Sequence, residues 1–375
     1  MNFEKLLSSL VLSFFIIVSL NSLLKIIYFS EVWNFLGIIL SFIIIVIVFI
    51  DKKRINFNHF AFTFIVALII LMIIYISVLK DFSSIDYFSI FKFLALLVFL
   101  LTASLSSRFF KAERYSKFIV FVAIIALLVY VIRPTGFYSE NTNYLMFTSV
   151  ICYAYVILIN SNFNSNLKVI LSIAFIIGIL TLQSRSAILL LIIFTLIKLG
   201  KVCYDLRSLM FVVLLYSGVA VFGVVFFLNL SVIIEYIPVE LGYGIFKLLN
   251  MISGDYSDAR STMYTEAFSW IVSNPFGYGF NAHNRIIGFY PHNILLETGL
   301  NYGIFLALFY LTFFVYAFFK YHSLKDVNCV FPISYMYFFC VWLTSFDYLS
   351  SFQIHMFLGS LLYLLFSRVI NEKDN

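Results

Sequence analysis

Polar residues cut this chain into apolar runs of about one bilayer's width, and that pattern constrains the fold more than any motif does. A helix needs about 20 mainly apolar residues to cross the hydrocarbon core, where every backbone polar group must be satisfied within the segment. Dividing the sequence wherever charges, Asn or Pro interrupt it gives twelve expected spans: 6–24, 32–50, 60–79, 90–107, 118–132, 144–160, 168–183, 187–199, 208–230, 293–319, 328–345 and 354–367. Runs 118–132, 187–199 and 354–367 are short, so they extend into polar flanks or the bilayer thins around them. Composition excludes a soluble globule, because 63% of the 375 residues are apolar or aromatic and only 11% are charged. The predicted fold class is all-α, a polytopic membrane protein with 1–375 as a single integral membrane domain.

The formal net charge of +6 points to topology rather than to nucleic acid, since the basic residues sit in short clips and form no patch. With the N-terminus inside, 16 of the 24 Lys and Arg residues fall in cytoplasmic segments, among them Lys52, Lys53, Arg54, Arg108, Lys111, Arg114 and Lys117. The other eight are Lys25, Lys80, Lys92, Arg133, Arg185, Lys247, Arg260 and Arg285. That excess predicts both termini in the cytoplasm. The run after Lys5, LLSSLVLSFFIIVSL, has no clear small-residue cleavage site and reads as the first span. Cys152, Cys203, Cys329 and Cys340 lack paired C-x-x-C spacing and read as packing residues.

One connection is long where nearly all others are short: 231–292 is expected to form a large external loop. Its mixture of Trp270, Pro275, Gly and Tyr argues for order, with an interfacial helix expected within 238–252. No fixed-period repeat or low-complexity tract interrupts the chain.

Four of the eight external cations are arginines, a side chain whose planar fork suits diphosphate and stays charged when partly desolvated. Arg185 lies in QSRSA between two apolar runs, so its turn sits at or below the membrane surface. An Arg costs about 2.5–3.5 kcal/mol at mid-bilayer on insertion scales, which marks it as a functional ion or as a side chain snorkelling to headgroups. Arg260 opens a predicted helix in which Thr262, Glu266 and Trp270 lie four apart and which Asn274-Pro275 stops. His292-Asn293 begins the next membrane helix, with Asn293, Leu296 and Glu297 at i, i+3 and i+4. A histidine at a helix mouth with a carboxylate about one turn deeper is either an interfacial residue or a general base. Asp255 and Asp258 in GDYSD read as turn residues rather than metal ligands, and no D-x-D motif occurs.

The pattern Arg260, Trp270, Asn274-Pro275, Gly277, Gly279, His292-Asn293, Leu296-Glu297 and Gly303 resembles the hallmark region of the O-antigen ligase and polymerase superfamily. Ser184-Arg185-Ser186 and Asn141 to Asn143 are similar to further features of that family. The resemblance implies a C-type glycosyltransferase-like helical fold acting on glycans carried by undecaprenyl diphosphate at the outer face of the bacterial inner membrane. It implies that Arg185 and Arg260 hold the donor diphosphate and that His292 engages the acceptor hydroxyl; Glu297 is a further catalytic candidate. Arg133, Arg285, Asn143, Asn293, Trp270 and Tyr278 are the expected substrate-binding residues. Tyr243, Tyr256, Tyr264, Tyr278 and Tyr290 are either sugar-stacking or interfacial rings.

Two arginines can stabilise the charge developing on a leaving diphosphate, and His292 can take the proton of an attacking sugar hydroxyl. Such a single displacement inverts the anomeric centre and is expected to use no metal and no cofactor. Expected partners are the lipid-linked oligosaccharide, membrane lipid and, as a further candidate, a chain-length regulator protein; nucleic acid is not expected. Within the superfamily, a polymerase of repeat units is the leading expectation, with a ligase delivering polymer to lipid A core as the alternative. A lipid-linked oligosaccharide flippase is the competing class. It would place polar groups at mid-bilayer, whereas here the candidate ions gather at one face.

Overall fold

A computed structural model describes residues 3–20, 30–50, 57–79, 87–132, 144–181, 184–207, 217–218, 259–288, 290–324, 329–344 and 351–371. Their regular elements are all helical: α1 (Phe3–Ser19), α2 (Ser30–Ile50), α3 (Phe57–Leu79), α4 (Tyr87–Ser106), α5 (Ala112–Ile132), α6 (Tyr144–Ile159), α7 (Ser165–Thr181), α8 (Arg185–Arg207), α9 (Ala259–Ser273), α10 (Ile294–Tyr302), α11 (Ile304–Ser323), α12 (Val330–Trp342) and α13 (Phe352–Asn371). A described helix lies on each expected run except 208–230, which falls outside the described residues apart from 217–218. The interfacial helix expected in 238–252, Asp255 and Asp258 also lie outside them. Among the described residues three stretches, Ser89–Phe109, Ala112–Val131 and Ile304–Ser323, are long and apolar enough to cross a membrane; Phe35–Phe49, Phe60–Tyr75 and others are shorter apolar helices.

One expected element is corrected. The run 293–319 is two helices, α10 and α11, broken at Gly303, whose φ is +99°. A glycine inside an apolar run carries no signal of a break, and only the tertiary contact described below produces one.

The chain divides into two compact units, the first made of residues 1–115, 262–319 and 331–375. In this unit α4 packs along α13 and against α2 and α3, α1 lies on α2 and α13, and α10 touches α3. Its centre is aromatic: Phe14 meets Phe99, Phe99 meets Phe352, and Phe15, Phe110 and Phe331 meet at tilted angles with ring centres 4.6 to 5.8 Å apart. Buried polar side chains pair with one another, the Thr63 and Ser104 hydroxyls at 2.9 Å and the Tyr310 hydroxyl with His355 Nε2 at 2.7 Å. Internal pairing of this kind is what a bilayer-facing bundle requires, since lipid offers no partners. Phe42, Met72 and Tyr75 stand exposed on α2 and α3, a surface suited to hydrocarbon.

The second unit comprises 116–261 and 320–330. Here α6 packs against both α7 and α8, and the Tyr155 hydroxyl meets Thr195 Oγ1 at 2.8 Å. The buried Lys201 ammonium lies 4.5 Å over the Tyr321 ring and donates to the Tyr321 carbonyl at 2.8 Å and the Leu324 carbonyl at 2.5 Å. A cation on the last carbonyls of a helix opposes the negative end of its dipole.

Candidate active site at the mouth of a short helix

The site is built by a loop, residues 274–293, strapped onto α10. Asn274 stops α9: its Oδ1 accepts from Phe276 N at 3.3 Å and its Nδ2 donates to the Gly277 carbonyl at 3.0 Å. The loop backbone then serves the open C-terminal end of α10. Tyr278 N donates to the Leu300 carbonyl at 2.8 Å, Gly279 N to Asn301 at 3.1 Å, and Ile304 N returns to the Pro275 carbonyl at 2.9 Å. The first two bonds satisfy carbonyls that the end of α10 otherwise leaves open, and the third satisfies an N–H at the start of α11. They also bring two backbones together at Gly277 (φ +74°) and Gly303, where a Cβ on Gly277 would lie 2.5 Å from Gly303 N. Only glycine fits both the approach and the dihedral.

Below the strap, Ala267, Ile271, Ile287 and Leu300 form a buried cluster, with Tyr278, Ile286, Leu296 and Ile304 packed on it. This cluster fixes α9, the five-residue π-type turn His283–Ile287 and α10 as one piece. π-type turns recur at functional sites because the extra residue re-aims side chains.

His292 follows the buried Pro291 and is itself exposed, with a left-handed φ of +50°. A non-glycine residue there stores strain that its surroundings must impose. Asn293 imposes it from one side by capping α10, its Oδ1 accepting from Leu295 N at 3.0 Å and Leu296 N at 3.2 Å while Nδ2 donates to the Leu343 carbonyl at 3.2 Å. Glu297, in the first turn of α10, is only 3% exposed. Its Oε2 accepts from the Tyr290 hydroxyl at 3.0 Å. The Tyr290 ring meets His292 edge to face at 4.7 Å and His283 at 5.5 Å. His283 Nδ1 lies 3.3 Å from the Asn301 side-chain oxygen, one turn along α10 from Glu297.

On the outer side, Trp270 is 38% exposed and meets Tyr278 edge to face at 5.7 Å, and the Tyr278 hydroxyl lies 2.6 Å from Ser273 Oγ. The exposed Arg285 donates from Nη2 to the Tyr278 carbonyl at 3.1 Å. Together these place two aromatic rings, a guanidinium and small hydroxyls on one surface, the chemistry that grips sugar rings and anionic groups.

Of the sequence-predicted site residues, His292, Glu297, Asn293, Trp270, Tyr278 and Arg285 fall within this one piece. Arg185 is the first residue of α8 and Arg260 the second of α9; their side chains, and all of Arg133 and Asn143, lie outside the described residues. Sequence reasoning missed His283 and Asn301 and gave Tyr290 no role beside His292. The available signal was the density of Asn, His and Arg in GFNAHNR beside an aromatic-Pro-His-Asn sequence.

Residues 170–311 match the family model described as O-antigen ligase. No curated protein and no solved structure matches the chain. The matched segment takes in α8, α9, the strapped loop and α10. Over that segment, which holds this site, the chain is similar to the O-antigen ligase family, and it carries apolar helices long enough to cross a membrane.

Proposed function

We propose that the protein polymerises undecaprenyl-diphosphate-linked oligosaccharide repeat units into surface polysaccharide, O-antigen or capsule, at the outer face of the inner membrane. The observation that carries this reading is His292, exposed in a strained left-handed conformation between a buried proline and a capped helix, inside the family-matched segment. Strain of about 1–3 kcal/mol kept at an exposed polar residue fits a chemical role better than a packing one. In this mechanism His292 accepts the proton of the acceptor hydroxyl as it attacks the anomeric carbon. The C–O bond to the diphosphate breaks on the opposite face, and the anomeric configuration inverts. Arg185 and Arg260 take up the leaving diphosphate's charge. Glu297 balances the imidazolium, Asn293 holds the start of α10, Trp270 and Tyr278 stack on sugar, and Arg285, Arg133 and Asn143 bind the glycan or its diphosphate. The 1–375 chain then forms one membrane domain of about twelve spans with both termini cytoplasmic and 231–292 external. A chain-length regulator protein joins it as partner.

A second reading has its own support, because the matching family model is described as O-antigen ligase. As a ligase the same residues would pass finished polymer to lipid A core. Deleting the gene separates the two: surface glycans capped by single repeats indicate a lost polymerase, and bare core with accumulating lipid-linked polymer indicates a lost ligase. Unaltered surface polysaccharide would refute both.

A further inference from the structure

We infer that Tyr290 is the positioning residue for His292, linking that exposed imidazole to the rigid face of α10; the inference rests on the catalytic reading of His292 above. Pro291 and the Asn293 cap fix the backbone around His292, while the side-chain torsions of the imidazole are a separate freedom that a cap does not set. Tyr290 restricts that freedom with its ring, which meets His292 at 4.7 Å and an interplanar angle of 83°. This is the edge-to-face arrangement that the aromatic quadrupole favours.

The tyrosine is itself held at two points. Its hydroxyl donates to Glu297 Oε2 at 3.0 Å, and its ring is flanked by His283 at 5.5 Å, which in turn lies 3.3 Å from the Asn301 side-chain oxygen. Glu297 and Asn301 are four residues apart on α10, so both anchors stand on one face of a single helix. Glu297 and Asn301 are buried, whereas His292 is exposed. The network therefore transmits the position of a packed helix to an exposed side chain, which is the role of a supporting shell around a reacting group.

The test uses the full-length protein in lipid nanodiscs with ¹³C-labelled histidine, paired with turnover on a lipid-linked oligosaccharide. His292→Gln identifies the His292 resonance by removing it. Tyr290→Leu removes the ring, and the His292 resonance should move by loss of the ring's magnetic shielding. Turnover should then fall towards that of His292→Gln with KM for the donor unchanged. Tyr290→Phe keeps the ring and loses only the Glu297 bond, so the resonance should stay near its place while kcat drops about tenfold, a fraction of what a general base supplies. An unmoved His292 resonance in a folded Tyr290→Leu protein, or wild-type kcat in Tyr290→Phe, overturns the inference. Full turnover in His292→Gln is the separate outcome that sinks the catalytic reading itself, and with it the catalytic worth of the contact.

Discussion

The strap between the loop and α10 can be tested with two alanines. Gly277 and Gly288 have nearly the same left-handed dihedral, φ +74° and +77°, so a Cβ costs each of them about 1–2 kcal/mol in backbone conformation. Their surroundings differ. At Gly288 nothing lies within 4 Å of the new Cβ, whereas at Gly277 it would meet Gly303 N at 2.5 Å, Asn301 O at 2.8 Å and Tyr302 C at 2.9 Å. All three are backbone atoms and cannot swing aside. Relief requires lifting the loop from α10, which strains the Tyr278-to-Leu300 and Gly279-to-Asn301 bonds at 2.8 and 3.1 Å. Overpacking of this kind costs about 1–3 kcal/mol, and each weakened bond about 1 kcal/mol. Gly277→Ala should thus lose about 2–3 kcal/mol more than Gly288→Ala, on the order of 100-fold in the folded-to-unfolded ratio. Denaturant-titrated unfolding of both proteins in mixed micelles measures the difference. Equal losses would show that the two backbones do not meet at Gly277 and would refute the strap.

Other expectations follow from neighbouring contacts. His292→Gly relieves the φ of +50° while loosening the unfolded chain, so stability should stay within about 1 kcal/mol of wild type. Turnover should nevertheless fall by about 10²–10⁴, the worth of a general base; an active glycine variant would mean that His292 does no chemistry. Asn293→Ala removes the acceptor for two helix N–H groups and the donor to Leu343, a loss of about 2 kcal/mol, whereas Asn293→Ser keeps the cap and should recover about half. Chemical unfolding would read both, and equal stability of the two variants would count against the cap. Lys201→Met strips the ammonium from the Tyr321 and Leu324 carbonyls and should cost about 2 kcal/mol, with part of the loss offset because no charge is then buried. A gain in stability would show that desolvation outweighs those bonds.

Much of the helical layout was legible because the polar clips recur at bilayer spacing, and Lys52 to Arg54 or Arg108 to Lys117 punctuate the chain plainly. The break at Gly303 was not legible. Its cause is a long-range bond, Ile304 N to the Pro275 carbonyl, and nothing local to the apolar run announces it. That Glu297 stands in the first turn of a helix capped by Asn293 was visible from spacing, since Asn293 is a ready N-cap and Glu297 lies four residues on. The network through Tyr290, His283 and Asn301 was invisible because it depends on a π-type turn and on left-handed residues at Asn281 and His292, which redirect side chains without a periodic signature. Arg185 and Arg260 were singled out by residue type and place alone, and each stands at the opening of a helix.

The central claim is that His292 activates an acceptor sugar for attack on a lipid-linked glycan. Its most direct test is elongation by the purified protein in nanodiscs, supplied only with a single-repeat oligosaccharide on undecaprenyl diphosphate. Wild-type protein should build a ladder of longer glycans with inverted linkage, and folded His292→Gln should leave the single repeat unextended. A ladder formed by His292→Gln at the wild-type rate would contradict the account.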